Sequence, residues 1–145
     1  MEMTLFQAIG IFVTVIILIV PTYWRYCRGI KESERNLKLN KMNFRDYQEV
    51  AASTAIYPES AKLTYPLLGL AGEVGEVCEK AKKHIRDGRE LDKEDMKKEL
   101  GDVLWYLSAV ARDLDIDLQD VAVSNIEKLQ SRKDRGVLQG SGDNR

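Results

Sequence analysis

Leu70-Ala71-Gly72-Glu73-Val74-Gly75-Glu76-Val77 and Glu99-Leu100-Gly101-Asp102-Val103-Leu104-Trp105-Tyr106-Leu107 are the two stretches that decide how this 145-residue chain is read. Each sets two carboxylates three residues apart within an apolar run. On a helix that spacing puts both acids on one face, about one turn apart. Glu73 and Glu76 bracket Val74 and precede Val77; Glu99 and Asp102 bracket Leu100 and precede Val103. A merely solvated acidic face would lie opposite the apolar stripe, not along its edge. Gly69, Gly72 and Gly75 recur beside the first pair, and Gly101 lies inside the second. A glycine in a helix interior costs about 1 kcal/mol relative to alanine. Such a cluster is expected where something approaches the backbone closely.

Helix signals frame both stretches. Asn43, with Asp46 three residues on, starts a helix that should end near Ala55, before Tyr57-Pro58. A second helix begins around Leu63 to Pro66 and runs to Asp87, with Gly88 as its stop. Asp92 caps a third, from Lys93 to about Asp113, and Asp117 caps a fourth that reaches about Ser131. The second helix carries the stripe Leu67, Leu70, Ala71, Val74, Val77, Cys78 and Ala81. The third carries Leu100, Val103, Leu104, Leu107, Val110, Ala111 and Leu114. No strand-type alternation of useful length is present. The expected fold class is all-α, a four-helix-type bundle over residues 43–145.

If the second and third helices pack antiparallel, their four carboxylates converge. Bare anions held together raise one another's pKa, and a divalent cation relieves them. Oxygen-only ligation suits magnesium, calcium or manganese. A di-iron site would add a histidine three residues after a glutamate, and His84, the one histidine, has no such partner. Magnesium on carboxylates keeps waters and takes substrate phosphates, so a triphosphate is the natural guest. Either acid pair alone would read as a helix surface. Two pairs, each edging an apolar stripe, favour a metal site.

The formal net charge of −1 gives no global field for polyanions, and no nucleic-acid polymer is expected as a partner. Cys27 and Cys78, far apart, indicate neither a disulfide framework nor a thiolate zinc site. Between Glu2 and Arg25 there is no charged residue, and Leu5–Val20 is almost wholly apolar. Extended to Trp24, the run reads as a transmembrane helix across a ~30 Å layer, with Tyr23, Trp24 and Tyr26 as an interfacial belt. Arg25, Arg28, Lys31, Arg35, Lys38 and Lys41 follow, and by the positive-inside rule they keep the rest in the cytoplasm. A signal peptide lacks support in the Met-Glu-Met start, and a surface helix would need a polar face. The expected organisation is a single-pass membrane anchor over 1–24, a basic linker over 25–42 and a helical domain over 43–145.

The two quoted stretches resemble the MazG-like, all-α nucleoside triphosphate pyrophosphohydrolases, in which an ExxE pair on one helix faces an ExxD pair on the next. The likeness extends over residues 43–145. It includes Asn125-Ile126-Glu127-Lys128-Leu129 and the ending Gly140-Ser141-Gly142-Asp143-Asn144-Arg145, as in short single-domain members of bacteria and phages. The resemblance implies magnesium, with manganese as a substitute, held by Glu73, Glu76, Glu99 and Asp102. It implies hydrolysis of a nucleoside triphosphate to the monophosphate and pyrophosphate, in the service of nucleotide-pool cleaning or control. It also implies a homodimer or homotetramer, and phosphate contacts from Asn125 and Lys128. Glu76 is the candidate for orienting the attacking water. Lys83, Arg86, Arg132 and Arg135 are further candidates for neutralising phosphate charge. Gln48 and Tyr57 are candidates for a base pocket, and Trp105 or Tyr106 for stacking on a base. The competing functions are a non-catalytic, membrane-anchored oligomerisation or interaction module, and a calcium or magnesium sensor without catalysis.

Overall fold

The computed structural model describes residues 5–142, with side chains from residue 20 onward apart from Thr22. Five α-helices and a short 3₁₀ turn make up the described chain: α1 (Leu5–Asn40), α2 (Phe44–Ala52), the turn Glu59–Ala61, α3 (Thr64–Asp87), α4 (Lys93–Asp113) and α5 (Leu118–Asp134). They fall into two compact units, Met1–Met42 and Asn43–Arg145.

The first unit is essentially α1, and it departs from the sequence reading. Among the described residues no helix is long and apolar enough to cross a membrane. The expected transmembrane anchor over 1–24, the membrane location and the single-pass topology with a cytoplasmic domain are therefore withdrawn. The run Leu5–Val20 falls short of the about 20 apolar residues that a span needs. Pro21 and Thr22 close it, and the same helix continues into Arg25, Arg28 and Lys31. Residues 1–4 of the expected anchor lie outside the described residues. The stretch read as a linker is helical as far as Asn40. Glu32 and Arg35 pair one turn apart at 3.7 Å, and the Arg28 guanidinium lies 4.2 Å from the Trp24 ring centre. Such i,i+3 and i,i+4 contacts support a helix whose sequence otherwise looks like polar connector.

In the second unit the caps act as their residue types dictate. Asn43 accepts from the Asp46 N–H at 2.9 Å, and Asp46 accepts from the Asn43 N–H in return. Asp92 accepts from the N–H groups of Glu94 and Asp95, and Asp117 from that of Gln119. Gly88 ends α3 in the left-handed region, φ 63°, and donates to the His84 carbonyl. Helix α2 stops at Ala52, short of the expected Ala55. The hydroxyls of Ser53 and Thr54 turn back onto the carbonyls of Val50 and Ala51 there. Helix α5 outlasts its expected end at Ser131 and reaches Asp134, whose carboxylate accepts from Gln130 at 2.8 Å.

Helix α3 starts without a side-chain cap of its own. Leu63, just ahead of it, takes φ 61° and ψ −49°, a strained conformation for a branched residue. Its N–H is met by Asp113 from the far end of α4, at 2.8 Å. Tyr57 donates to the same carboxylate at 2.9 Å, and Arg112 contacts it at 2.9 Å while bonding to the Tyr57 hydroxyl. The Asp113 side chain is fully buried. Burial alone would raise its pKa, but the Leu63 N–H, Arg112 and Tyr57 outweigh it and hold the carboxyl below the usual aspartate value.

Helices α3 and α4 form the main packed pair; α2 lies on α4 and α5, and α5 also meets α4. The α3–α4 pairing is antiparallel: Leu63 faces Asp113, and Lys80 faces Glu99. Gln48 fastens α2 to the start of α5, donating to the Ile116 carbonyl and accepting from the Leu118 N–H. Ala51, Pro66, Ser108, Ala109, Ala111 and Leu118 are buried. The expected core stripes are only partly covered. On α3, Leu67 is 46% and Val74 45% exposed; on α4, Leu100 is 53% and Leu114 48% exposed. The glycines also divide. A side chain at Gly69 would overlap the Tyr106 ring, whereas Gly72, Gly75 and Gly101 face open space. Within the chain itself, close approach to the backbone accounts for Gly69.

Replacing Gly69 with alanine should displace Tyr106 and destabilise the fold by about 1–3 kcal/mol, as overpacking does. A melt unchanged from wild type would contradict this contact. Asp113 supplies a pH test. Its folded pKa lies below the unfolded 3.8, so its contribution is complete above 3.8 and is lost as pH falls through the folded value. Urea midpoints at neutral pH should therefore be lower for Asp113→Ala than for wild type, by about 1–3 kcal/mol in stability. The gap should narrow on acidification below 3.8.

Candidate metal centre

The antiparallel register of α3 on α4 brings together Glu73, Glu99 and Asp102, with one carboxylate oxygen of each within 4.8 Å of the others. Glu73 and Glu99 are half-buried, and Asp102 is exposed. Loss of solvent, then the charges of Asp102, Glu76 and Glu99, push the Glu73 carboxyl above the usual glutamate range. Glu76 stands one turn along α3 from Glu73. It is exposed and lies outside the group of three, though close enough to act on Glu73 electrostatically.

Oxygen ligands alone, in a cluster whose negative charges disfavour the ionisation of Glu73, fit a hard divalent cation. Glu73, Glu99 and Asp102 can hold one. Their partial exposure leaves room for water or phosphate oxygens in the remaining coordination positions.

The surroundings are aromatic on one side, with Lys80 on the other. Tyr106 follows Asp102 by one turn, packs against the Gly69 backbone and meets Trp105 edge-on at 4.9 Å. Tyr65 lies 6.3 Å from Tyr106 and stacks on Tyr57 at 5.0 Å. Burial, and then the Asp102 charge, push the phenol of Tyr47 up, on the α2 helix that packs against α4. On the other side, Lys80 reaches Glu99 at 3.1 Å and Asp95 at 3.8 Å. Its hydrogen bond to Glu99 raises the ammonium pKa against the opposing effect of desolvation. Neither Lys80 nor Tyr47 was singled out from the sequence. For Lys80 the signal was present, since it follows Glu76 by four residues on the same helical face.

The other candidates distribute as follows. Asn125 and Lys128 line an open groove of about 490 Å³ along α5, with Asp120, Val121 and Ser124. None of the clustered carboxylates lines it. Lys83 pairs with Glu79 at 3.3 Å and borders a pocket at the α3–α4 turn. Arg86 pairs with Asp87, and the Arg135 side chain donates to Ser131. Arg132 is 5% exposed and donates to the Gly142 carbonyl at 3.3 Å, so it supports the C-terminal tail instead of presenting a surface cation. Gln48 and Tyr57 take part in the α2–α5 and α3–α4 joints described above. Trp105 donates to the Thr54 hydroxyl at 2.8 Å.

Comparison with known proteins bears on the same residues. The family model of the MazG nucleotide pyrophosphohydrolase domain matches residues 62–137, which contain α3, α4, α5 and all four carboxylates. The Gene 37 protein of Mycobacterium phage L5 is 48% identical over 109 residues, spanning 68% of this chain and 96% of that protein. No solved structure matches the chain. Both the extent of the matched segment and the carboxylate cluster inside it lead to one assignment: the chain belongs to the MazG nucleotide pyrophosphohydrolase family.

Proposed function

We propose that the protein hydrolyses a ribo- or deoxyribonucleoside triphosphate to the monophosphate and pyrophosphate in a magnesium-dependent reaction, and so controls or cleans a nucleotide pool. The observation that carries this reading is the Glu73, Glu99 and Asp102 group within the segment matched to the family. A divalent cation bound there polarises phosphoryl oxygens and makes water a stronger nucleophile. Glu73, Glu99 and Asp102 would hold that cation, and phosphate oxygens would take its remaining coordination positions. Glu76, exposed one turn along α3, orients the attacking water and takes its proton. Water oxygen bonds to the α-phosphorus, the α–β bridging P–O bond breaks, and pyrophosphate leaves. Asn125, Lys128 and Lys83, all exposed, are the side chains proposed to meet phosphate oxygens.

A second copy of the chain belongs to the same proposal. Leu67, Leu68 and Val74 on α3, Leu100 on α4 and Ile126 on α5 leave extensive apolar surface uncovered in one chain. Such surface marks an association face, and a homodimer or homotetramer would bury it.

The test is the full-length protein incubated with each common nucleoside triphosphate and magnesium, with released pyrophosphate assayed. At least one substrate should be turned over, and excess chelator should abolish the signal. Undiminished turnover in chelator would sink the metal mechanism. Glu99→Gln and Asp102→Asn should abolish turnover, and Asp102→Asn should leave the fold as stable or more so without metal, because it relieves part of the repulsion on Glu73 without touching the Lys80–Glu99 pair. Magnesium should raise the melting temperature of the wild type strongly and that of either variant little. Glu94→Gln is the control, since Glu94 is exposed and pairs only with Lys97, at 3.7 Å. If Glu99→Gln and Glu94→Gln proved indistinguishable in turnover and in metal-induced shift, the site would lie elsewhere.

A further inference from the structure

One aromatic ring near the acids stands open to water. Tyr57, Trp105 and Tyr106 are partly covered, whereas Tyr65, in the first turn of α3, is 47% exposed. It is held all the same. Its ring stacks on Tyr57 at 5.0 Å with the planes 23° apart. Tyr57 is fixed in turn by the Asp113 carboxylate and by the Arg112 guanidinium, 5.4 Å from its ring centre. Tyr106 lies 6.3 Å from Tyr65 and is tilted by 43°, so it does not lie flat on the other face. The cations at hand are committed, Lys62 to Glu59 and Arg112 to Asp113. What Tyr65 offers a ligand is a held aromatic surface, suited to a flat ring more than to an anion.

A strip of bare backbone joins this ring to the acids. Tyr65, Gly69, Gly72 and Glu76 follow one another at intervals of four, three and four residues, which puts them on one face of α3. Glu73 lies about 12 Å along the helix from Tyr65. Tyr106 fills the space over Gly69 and stands one turn from Asp102. Burial, then a hydrogen bond with Tyr65, then the charges of Glu73 and Asp102 push its phenol up, so the tyrosines and the acids share one neighbourhood. A side chain at Gly72, by contrast, would meet nothing within 4 Å. Packing inside the chain does not account for a glycine there, which costs a helix interior about 1 kcal/mol.

We propose that Tyr65 is the base-stacking residue of the nucleotide site, and that Gly72 is bare so that the sugar can cross α3 between that ring and the carboxylate cluster. The inference rests on the nucleotide reading above. Every nucleobase has a π-face of the kind an exposed tyrosine ring takes. Tyr57 has already ordered the ring, so little rotamer freedom is lost when a base lands on it. With the phosphates at the acids, the base falls toward the Leu63 end of α3 and the sugar over Gly72. Stacking reads no hydrogen-bond pattern, so Tyr65 gives affinity for each base and selects none.

The test separates base from phosphate. Ligand-observed NMR on the full-length protein with magnesium measures binding of AMP, GMP, CMP, UMP and their deoxy forms, and calorimetry measures inorganic pyrophosphate, which has no base. Tyr65→Leu should weaken the tightest of these nucleotides about five- to hundredfold, the loss of one base–aromatic stack, and leave pyrophosphate binding unchanged. Tyr65→Trp should keep nucleotide binding or tighten it. Gly72→Leu should weaken nucleotides as well, with a melting temperature equal to or above that of wild type, since leucine is the better helix former and the space is open. Unchanged nucleotide binding in Tyr65→Leu, or an equal loss for pyrophosphate, overturns the proposal. A change of oligomeric state with nucleotide binding intact assigns Tyr65 to a contact between copies and overturns it too. Wild-type protein that binds no monophosphate removes the base site. Wild-type protein that binds nucleotides on Tyr65 but hydrolyses no triphosphate removes the function proposed above and leaves the base site standing.

Discussion

The antiparallel register of α3 on α4 is the constraint on which the rest of the molecule depends. It is pinned at three levels along the pair: the Asp113 carboxylate on the Leu63 N–H, the Tyr106 ring on the bare backbone of Gly69, and Lys80 on Glu99. A slip of one helical turn would slide one helix about 5.4 Å past the other. That displacement exceeds the 4.8 Å within which the oxygens of Glu73, Glu99 and Asp102 lie, so the cluster exists only in this register. The contacts at Leu63 and Gly69 are chemically unlike, one a charged hydrogen bond and one a close aromatic–backbone packing. A single substitution therefore does not remove both.

What the register assembles is locally unfavourable. Three acids are brought together on partly desolvated helix faces, and Glu73 shows the strain in its raised pKa. Binding sites are where a fold departs from its own stabilising rules. The compensation is built nearby. Lys80 shields Glu99, and the strained Leu63 backbone that sets the start of α3 is held by a buried carboxylate with three partners. The polar network at the Leu63–Asp113 end holds the α3–α4 pair at a distance from the acids.

Much of this was legible in the sequence because the determinants are local. Asn43, Asp92 and Asp117 cap their own helices through neighbours two or three residues on, and Gly88 stops α3 by its freedom at positive φ. The carboxylate pairs were legible for the same reason, as spacing within one helix. What escaped depends on partners far along the chain. Nothing near Leu63 announces a strained residue tied to Asp113, fifty positions away. Nor does the Gly69-Gly72-Gly75 series say which glycine receives the Tyr106 ring. Spacing alone does not separate Glu73, which joins the group of three, from Glu76, one turn away. Residues three apart on a helix differ by about 60° around the axis, so a neighbouring helix can meet one and miss the other. At the N-terminus, a run of apolar letters was read as a membrane span although it was short of the required length. Charge beyond Pro21 continues the helix instead of ending it.

The half-covered stripes give the acids their second physical setting. Val74 on α3 and Leu100 on α4 follow Glu73 and Glu99 directly in sequence, about 100° around their helices from them, and with Leu67 remain 45–53% exposed in one chain. Covering them with a second copy would thin the water at the margin of the acids. In the lower dielectric, repulsion among the acids grows, and so does their attraction for a divalent cation. Assembly without metal and metal binding without assembly would each be weaker than the two together. The apolar edge and the acids beside it, which the sequence places in the same few turns of helix, would then act as one device.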